Sequence, residues 1–196
     1  MRSIRRCRPE DRAALSDICV RTAHAGADAR GMLSDDDLWG LLYALPYAER
    51  HPDLCWVVDD GEGRAIGYLV ATDDTAAFEE WFRAEWWPRF ARSFRKPESL
   101  PERELLASAN ARGSNPVPHA GRYPAHLHID LLPEAQGEGW GRGLVETLLT
   151  DLRARGVPGL HLEMDPANTS AAGFYERLGM HPLETGPDGQ AYGILL

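Results

Sequence analysis

The sequence predicts a single α/β (α+β) domain, spanning residues 1–196, in which helices flank a mixed central β-sheet. Three observations support this class. The length suits one globular domain, and contents of 43% hydrophobic and 26% charged residues are ordinary for one. Two amphipathic helix patterns and a hairpin pattern occupy the first part of the chain. The last third alternates strand-like and helix-like stretches, which is typical of helices packed against a sheet.

The first part of the chain is predicted to supply one strand, two helices and a hairpin. Residues 3–8 read as a strand, and apolar residues at helical spacing follow over 9–22. Ser34 is predicted to cap a second helix, which carries three aspartates in its first turn and leucines inside. The apolar runs 54–59 and 64–72 flank a Gly-rich turn and are expected to pair as a hairpin.

The middle of the chain is predicted to form an insertion at about 73–122. Aromatic residues recur every four positions over Ala76–Phe94, which indicates a helix with a broad apolar face and a bend expected at Pro88. This face is either core packing or a surface for a partner or substrate, and the sequence leaves both open. Residues 95–122 are rich in Pro, Ser and Asn and are predicted to form a long loop, such as a lid.

The last third is predicted to alternate strands and helices. A strand at His126–Leu132 precedes a helix at Gly139–Arg155, and a strand at Leu160–Met164 precedes a helix at Thr169–Leu178. A final hairpin is expected around the turn at 186–189.

Charge and composition exclude several functions. Thirty acidic and 21 basic residues give a net charge of −9, which argues against nucleic acid as a partner and leaves cationic ligands such as amines open. Lys96 is the only lysine, so a Walker-type phosphate loop is excluded. Three cysteines without a CxxC pair indicate reduced thiols. The sequence shows no signal peptide pattern and no membrane-spanning stretch, so a cytoplasmic protein is expected.

The segment Gln136-Gly137-Glu138-Gly139-Trp140-Gly141-Arg142-Gly143 lies between a predicted strand and a predicted helix. Glycines are costly in a helix and need a reason. Bare N–H groups at a helix N-terminus bind phosphate when no side chain is in the way. The dinucleotide pattern GxGxxG is not matched, because Arg142 or Leu144 stands at the third glycine position.

The pattern Gln136-x-x-Gly139-x-Gly141 resembles the pyrophosphate-binding loop of the GCN5-related N-acetyltransferases (GNAT). Downstream, Asn168-x-x-Ala171-x-x-x-Tyr175-x-x-x-Gly179-Met180 resembles that family's second signature. The similarity extends over nearly the whole chain to the acetyltransferase-like C-terminal domain of human O-GlcNAcase. It is carried further by the stretches Gly67-Tyr68, Arg95-Lys96-Pro97 and Tyr123-Pro124, and by Asp130 and Pro133.

The resemblance implies a mostly antiparallel GNAT sheet with the insertion between strands 3 and 4. It also implies acetyl-CoA as co-substrate and acetyl transfer to a primary amine in a ternary complex. The residues expected to bind the cofactor are Leu131, Leu132, Gln136, Gly137, Glu138, Gly139, Trp140, Gly141, Arg142, Gly143, Asn168 and Tyr175. A catalytically silent acetyl-CoA-binding or protein-interaction module is the alternative.

The resemblance also implies roles for single groups. The N–H of Leu131 is expected to polarise the thioester carbonyl. Tyr175 is expected to give a proton to the coenzyme A thiolate, or else to pack as a core aromatic. Asn168 either binds the cofactor, holds the loop or caps the following helix. A homodimer is an expectation that the sequence leaves open.

The attacking amine must lose a proton, since its pKa lies near 10. Strand alternation places His126, His128 and Asp130 on one face. Asp130 is the first candidate for the base or amine anchor and His128 the second. The pattern HxHxD resembles the start of a metallo-β-lactamase motif, but Leu131 stands where the next His would be, so no metal is expected.

The acceptor itself is not identified by the sequence. Its contacts are expected at Tyr68, Asp73 and Trp81.

Overall fold

The structure is a computed structural model that describes residues 1–94, 97, 99–166, 168–185 and 190–196. The described residues form seven strands: β1 (Ser3–Arg6), β2 (Cys55–Asp59), β3 (Ala65–Thr72), β4 (Ala125–Leu131), β5 (Gly159–Met164), β6 (His181–Leu183) and β7 (Gln190–Leu195). They make one sheet in the order β1-β2-β3-β4-β5-β7-β6. Every neighbouring pair is antiparallel except β4 and β5, which confirms a mixed, mostly antiparallel sheet.

The α-helices of the described residues are α1 (Arg12–Val20), α2 (Asp37–Tyr43), α3 (Leu45–Arg50), α4 (Thr75–Trp81), α5 (Leu100–Ala111), α6 (Trp140–Ala154) and α7 (Thr169–Arg177). Helices α4 and α5 lie in the long connection between β3 and β4, where the insertion is predicted. The hydrophobic core contains residues from both the sheet and the helices, including the inner face of α6 (Leu144, Val145, Leu148, Leu149 and Leu152).

The aromatic stripe of the insertion belongs to the core. Phe78, Phe82 and Trp86 are at most 1% exposed, so packing rather than a partner surface explains their spacing. The helix predicted here is α-helical only as far as Trp81, and the chain departs from it before the bend expected at Pro88. Helix α4 passes into a π-helical turn at Phe82–Trp86 and a 3-10 turn at Trp87–Arg89, where Pro88 removes a backbone donor.

Two other local predictions are wrong. Ser34 does not cap α2, because α2 begins at Asp37 with Asp36 in the N-cap position. The Ser34 hydroxyl instead donates to the Glu102 carboxylate of α5 (Oγ to Oε1, 2.7 Å). The predicted loop at 95–122 contains α5, which begins after Ser99 with Pro101 in its first turn and Ser99 Oγ accepting from the N–H of Glu102 (3.3 Å). The predicted turn at 186–189 and residues Arg95 and Lys96 lie outside the described residues.

Helix α5 is attached to α4 and α2 through Arg112, which follows it directly. The Arg112 guanidinium binds both carboxylate oxygens of Glu79, and its Nη1 donates to the carbonyl of Leu42 (2.9 Å). It also lies 3.8 Å above the ring centre of Phe82. Both ionic side chains are nearly buried, so each needs the other.

All three cysteines are free thiols. Within the described ranges no helix combines the length and the apolar character needed to cross a membrane.

Replacing Glu79 with Gln is expected to lower the free energy of unfolding by about 2 kcal/mol, because the buried guanidinium of Arg112 loses its counter-charge. Urea unfolding measures this change. The matched control is Glu80→Gln on the exposed side of the same helix, which should change stability by less than about 0.5 kcal/mol. Equal effects of the two substitutions would contradict a structural role for the buried pair.

Candidate functional site

Strands β4 and β5 separate after a short parallel contact. Their register pairs Ala125 with Leu160 and His126 with His161, and these are the only pairs that join them among the described residues. Beyond His126, β4 therefore continues toward Leu131 with one edge open, and a gap lies between the two strands.

The open edge presents backbone groups without strand partners. The N–H of Leu132 donates to the carbonyl of Ile66 on the β3 side (3.0 Å). Successive residues of a strand direct their N–H groups to opposite edges, so the N–H groups of Ile129 and Leu131 face the gap. The Gln136 side chain binds the carbonyl of Leu131 (Nε2 to O, 2.8 Å) and so ties the following loop to this edge.

The glycine-rich loop ends at the N-terminus of α6. Gly137 and Gly139 have φ of +77° and +86°, a region that favours glycine. The first helical bond of this turn runs from the N–H of Gly143 to the carbonyl of Gly139 (3.0 Å). The N–H groups of the three residues before Gly143 therefore have no acceptor within the helix and form a site for an anion.

The other two glycines serve packing. A Cβ on Gly141 would lie 3.2 Å from the ring of Phe174 in α7, and a Cβ on Gly143 would lie 2.9 Å from Ile4 of β1. The four glycines thus split into two that shape the loop and two that bring α6 close to its neighbours.

A cavity of about 750 Å³ opens between the β4 edge, the N-terminus of α6, α7 and the loop after α1. Most of the residues predicted to bind a cofactor line it: Leu131, Gln136, Gly137, Gly139, Trp140, Gly141, Arg142, Asn168 and Tyr175.

Three of the residues predicted to bind the cofactor instead make contacts within the fold. Both backbone groups of Leu132 are bonded within the fold, and its side chain is buried. Gly143 packs on β1. The Glu138 carboxylate binds Arg2 (2.8 Å, Oε2 to Nη1) and Trp140 (2.9 Å, Oε2 to Nε1), so a counter-charge offsets its negative charge beside the loop.

Asp130 lies where the first cavity meets a second one of about 310 Å³. The Tyr68 hydroxyl donates to Asp130 Oδ2. Burial raises the pKa of Asp130, although hydrogen bonds from Tyr68 and Thr22 oppose the rise. Tyr175 lines both cavities, and burial together with the charge of Asp130 raises the pKa of its hydroxyl. The structure thus brings the first base candidate and the acid candidate together.

The second cavity is acidic. Asp130, Glu163 and Asp165 line it, and no lysine or arginine is among its described lining residues. Trp39 and Tyr43 of α2 supply aromatic walls. Carboxylates and aromatic faces are the groups that attract a cation.

The second base candidate belongs to a line of hydrogen bonds beside this cavity. Tyr47 Oη lies 2.6 Å from His126 Nε2 and 3.1 Å from His128 Nε2. His126 Nδ1 lies 2.7 Å from the hydroxyl oxygen of Thr75, and that hydroxyl lies 2.7 Å from the carbonyl oxygen of Pro124. Burial lowers the pKa of His126 and lowers that of His128 to about 3, and the nearby positive charge of Arg112 adds to both effects, so both rings are neutral.

A model of the acetyltransferase (GNAT) family matches residues 22–180. The chain belongs to this family. The crystal structure of SsHAT is 43% identical, covers 99% of this chain and 98% of its own, and superposes with a TM-score of 0.92.

Two curated proteins extend the comparison. Protein O-GlcNAcase of Rattus norvegicus is 25% identical over 87% of this chain, and the match spans only 19% of that protein. Mycothiol acetyltransferase of Acidothermus cellulolyticus is 28% identical over 83% of this chain and 44% of its own length. The chain therefore corresponds to part of each relative.

The predicted acceptor contacts are not brought together in this GNAT fold. Tyr68 is fully buried and reaches the site through Asp130. Asp73 follows the far end of β3, since β3 pairs Tyr68 with Asp130 but Thr72 with His126, and it binds Arg155 (3.0 Å, Oδ2 to Nη1). Trp81 packs among aromatic rings of the insertion and is 7% exposed.

Several residues of the GNAT site escaped prediction. Ala171, Phe174 and Leu178 line the first cavity beside Tyr175, and their helical spacing is a signal that would have found them. The loop after α1 also lines it, through Thr22 and residues 25–27. No local signal predicts this contact, because the loop precedes the glycine-rich segment by over a hundred residues.

Across the described parts of the chain, no three or more His, Cys, Asp or Glu residues are grouped as a metal site would require. The HxHxD side chains are engaged with Tyr47, Thr75 and Tyr68 instead.

Stability should fall as the pH drops below about 6.5. The unfolded chain protonates His126, His128 and His161 near that pH, whereas their lowered pKa values keep the folded rings neutral, in His128 down to about 3. The unfolded state then binds more protons than the folded state. The free energy of unfolding therefore falls by about 1.4 kcal/mol per pH unit for each histidine that stays neutral in the folded protein. Urea unfolding at pH 6.5, 5.5 and 5.0 measures the slope. A constant free energy of unfolding over this range would contradict the burial of these three histidines in their neutral form.

Proposed function

We propose that this GNAT protein transfers the acetyl group of acetyl-CoA to a primary amine by direct attack in a ternary complex. One observation carries the proposal: an open strand edge and a helix N-terminus face one cavity, and an acidic second cavity adjoins it at Asp130. The first pair of features suits a thioester carrying phosphates. The acidic cavity suits an ammonium group.

The cofactor would bind through backbone groups. Its pyrophosphate would take the free N–H groups at the start of α6, and its pantetheine would add to the open edge of β4 like a further strand. The N–H of Leu131 would then donate to the thioester carbonyl. Negative charge develops on that oxygen during attack, so a positioned donor stabilises the transition state by about 3 kcal/mol.

The acceptor would bind beside Asp130. An amine near pKa 10 arrives as an ammonium ion and must lose a proton before it attacks. The raised pKa of Asp130 makes its carboxylate a better base than an exposed one, and Tyr68 holds one of its oxygens in place.

Tyr175 would complete the proton transfers. Its raised pKa keeps the hydroxyl protonated, and the described residues supply no hydrogen-bond partner for it. The hydroxyl can therefore protonate the sulfur as the C–S bond breaks, and it regains a proton from the nitrogen that has formed the new C–N bond. Asp130 releases the first proton to solvent.

Gly139→Ala is expected to weaken acetyl-CoA binding at least tenfold, measured by calorimetry, because Ala resists a φ of +86° and the N–H groups beyond it lose their direction. Gly156→Ala is the matched control. Gly156 has φ of +71° with similar free space, at the opposite end of α6. If both substitutions weakened acetyl-CoA binding equally, or if the wild type did not bind acetyl-CoA, the proposed phosphate site at the start of α6 would be rejected.

Asp130→Asn and Tyr175→Phe are each expected to lower kcat at least a hundredfold across a panel of primary amines, while the acetyl-CoA Kd stays within about threefold. Release of free coenzyme A measures turnover. Tyr192→Phe removes a hydroxyl from a buried ring 6.0 Å from Tyr175, outside the cavity linings, and should retain activity. A wild type that binds acetyl-CoA but acetylates no amine would favour a silent binding module.

A further inference from the structure

The hydrogen bonds of Thr75, His126, Tyr47 and His128 run in one direction. The Thr75 hydroxyl lies 2.7 Å from the carbonyl oxygen of Pro124. A carbonyl can only accept, and this one accepts from the Thr75 N–H (2.7 Å) with one lone pair, which leaves its second lone pair for the hydroxyl proton. The short contact between Thr75 Oγ1 and His126 Nδ1 (2.7 Å) then requires an N–H on Nδ1.

The same reasoning assigns the donors in the His126–Tyr47 and Tyr47–His128 contacts. A neutral His126 with its proton on Nδ1 has a lone pair on Nε2, which accepts the hydroxyl proton of Tyr47 (2.6 Å). The Tyr47 oxygen has then used its only proton. His128 Nε2, at 3.1 Å, must be the donor in the last contact. The Nδ1 of His128 is left as an acceptor.

Nδ1 is the ring nitrogen left for a ligand. His128 lines the second cavity together with Asp130 and Tyr175, and it also lines a neighbouring cavity of about 300 Å³ with Tyr47, the partner of its Nε2. No described residue forms a hydrogen bond with His128 Nδ1. Among the described residues, the fully buried side-chain polar atoms without a partner are Trp39 Nε1 and His119 Nε2, so Nδ1 is not one of them. The ring is further fixed by Tyr43 and Tyr47, whose ring centres lie 5.5 and 5.2 Å away.

We propose that Thr75, His126 and Tyr47 are positioning residues that lock His128 in the tautomer with a bare Nδ1, so that this atom accepts a hydrogen bond from the amine. The opposite tautomer would point an N–H at an ammonium or amine N–H and repel it. The role toward the amine rests on the proposed acetyl transfer, whereas the tautomers do not.

The tautomers can be observed without any substrate. Long-range ¹H–¹⁵N correlation spectra of the ¹⁵N-labelled protein separate protonated from bare ring nitrogens, with each ring assigned through a single-histidine substitution. We expect His126 protonated on Nδ1 and His128 on Nε2 at pH 7. The reverse pattern, or a titrating His128, would overturn the proposal.

Thr75→Val tests whether the Thr75 hydroxyl controls the tautomer of His128 through the intervening hydrogen bonds. Without the hydroxyl, an N–H on His126 Nδ1 would be buried without a partner, so the line should invert and both histidines should exchange tautomers. We expect kcat/KM to fall at least tenfold with an unchanged acetyl-CoA Kd. Thr75→Ser keeps the hydroxyl and should retain the wild-type tautomers and activity within about twofold. Tyr43→Phe, beside His128 but outside the line, should leave the tautomers unchanged.

The outcomes separate the two proposals. Wild-type tautomers as expected, in a protein that acetylates no amine, would reject the proposed function while the direction of the line stands. If the protein acetylates amines but Thr75→Val keeps the wild-type tautomers, control of the His128 tautomer by Thr75 would be rejected. The proposed acetyl transfer would stand. Should Thr75→Val fail to fold, the wild-type spectrum alone still decides the direction.

Discussion

The parting of β4 from β5 is the constraint on which the rest of the site depends. The two strands pair at only two positions, so β4 runs on with an unpaired edge inside a sheet. Unpaired backbone groups are costly unless something bonds them. Leu131 is pinned from both sides, because a Cβ on Gly67 would lie 2.3 Å from its side chain and one on Gly141 would lie 3.4 Å away. The edge of β4 is therefore open while the Leu131 side chain is packed between two glycines, which suits a ligand that adds as a strand.

The charges of the chain are separated around this gap. The first cavity receives its positive potential from the N–H groups and dipole of α6, with Arg142 and Arg177 at its lining, which explains how a chain with one lysine could hold phosphates. The second cavity is lined by carboxylates without a described lysine or arginine. The net charge of −9 therefore does not preclude an anion at the first cavity, because the helix N-terminus and two arginines lie there.

Sequence reasoning succeeded where a local rule applies. Glycines at a strand–helix junction predict the loop, because only glycine takes the φ of Gly137 and Gly139 at little cost. Strand alternation places Asp130 and His128 on one face, as the structure has them. It failed at Ser34 and α5, where the deciding bond joins Ser34 to Glu102 across 68 residues. It also misplaced Asp73 and Trp81, because sequence position within an insertion says nothing about which end of the sheet it covers.

The sequence by itself predicted the mixed sheet and the glycine-rich loop, since each follows from spacing within one or two neighbouring elements. Its resemblance to the GNAT family pointed to the family and to the role of Tyr175, and strand alternation added the candidate Asp130. Only the tertiary structure decided that β4 and β5 diverge, that Glu138 binds Arg2, and that Thr75, His126, Tyr47 and His128 meet in one line of contacts. These features join residues far apart in the chain, and hydrogen-bond direction is defined only when donor and acceptor have met.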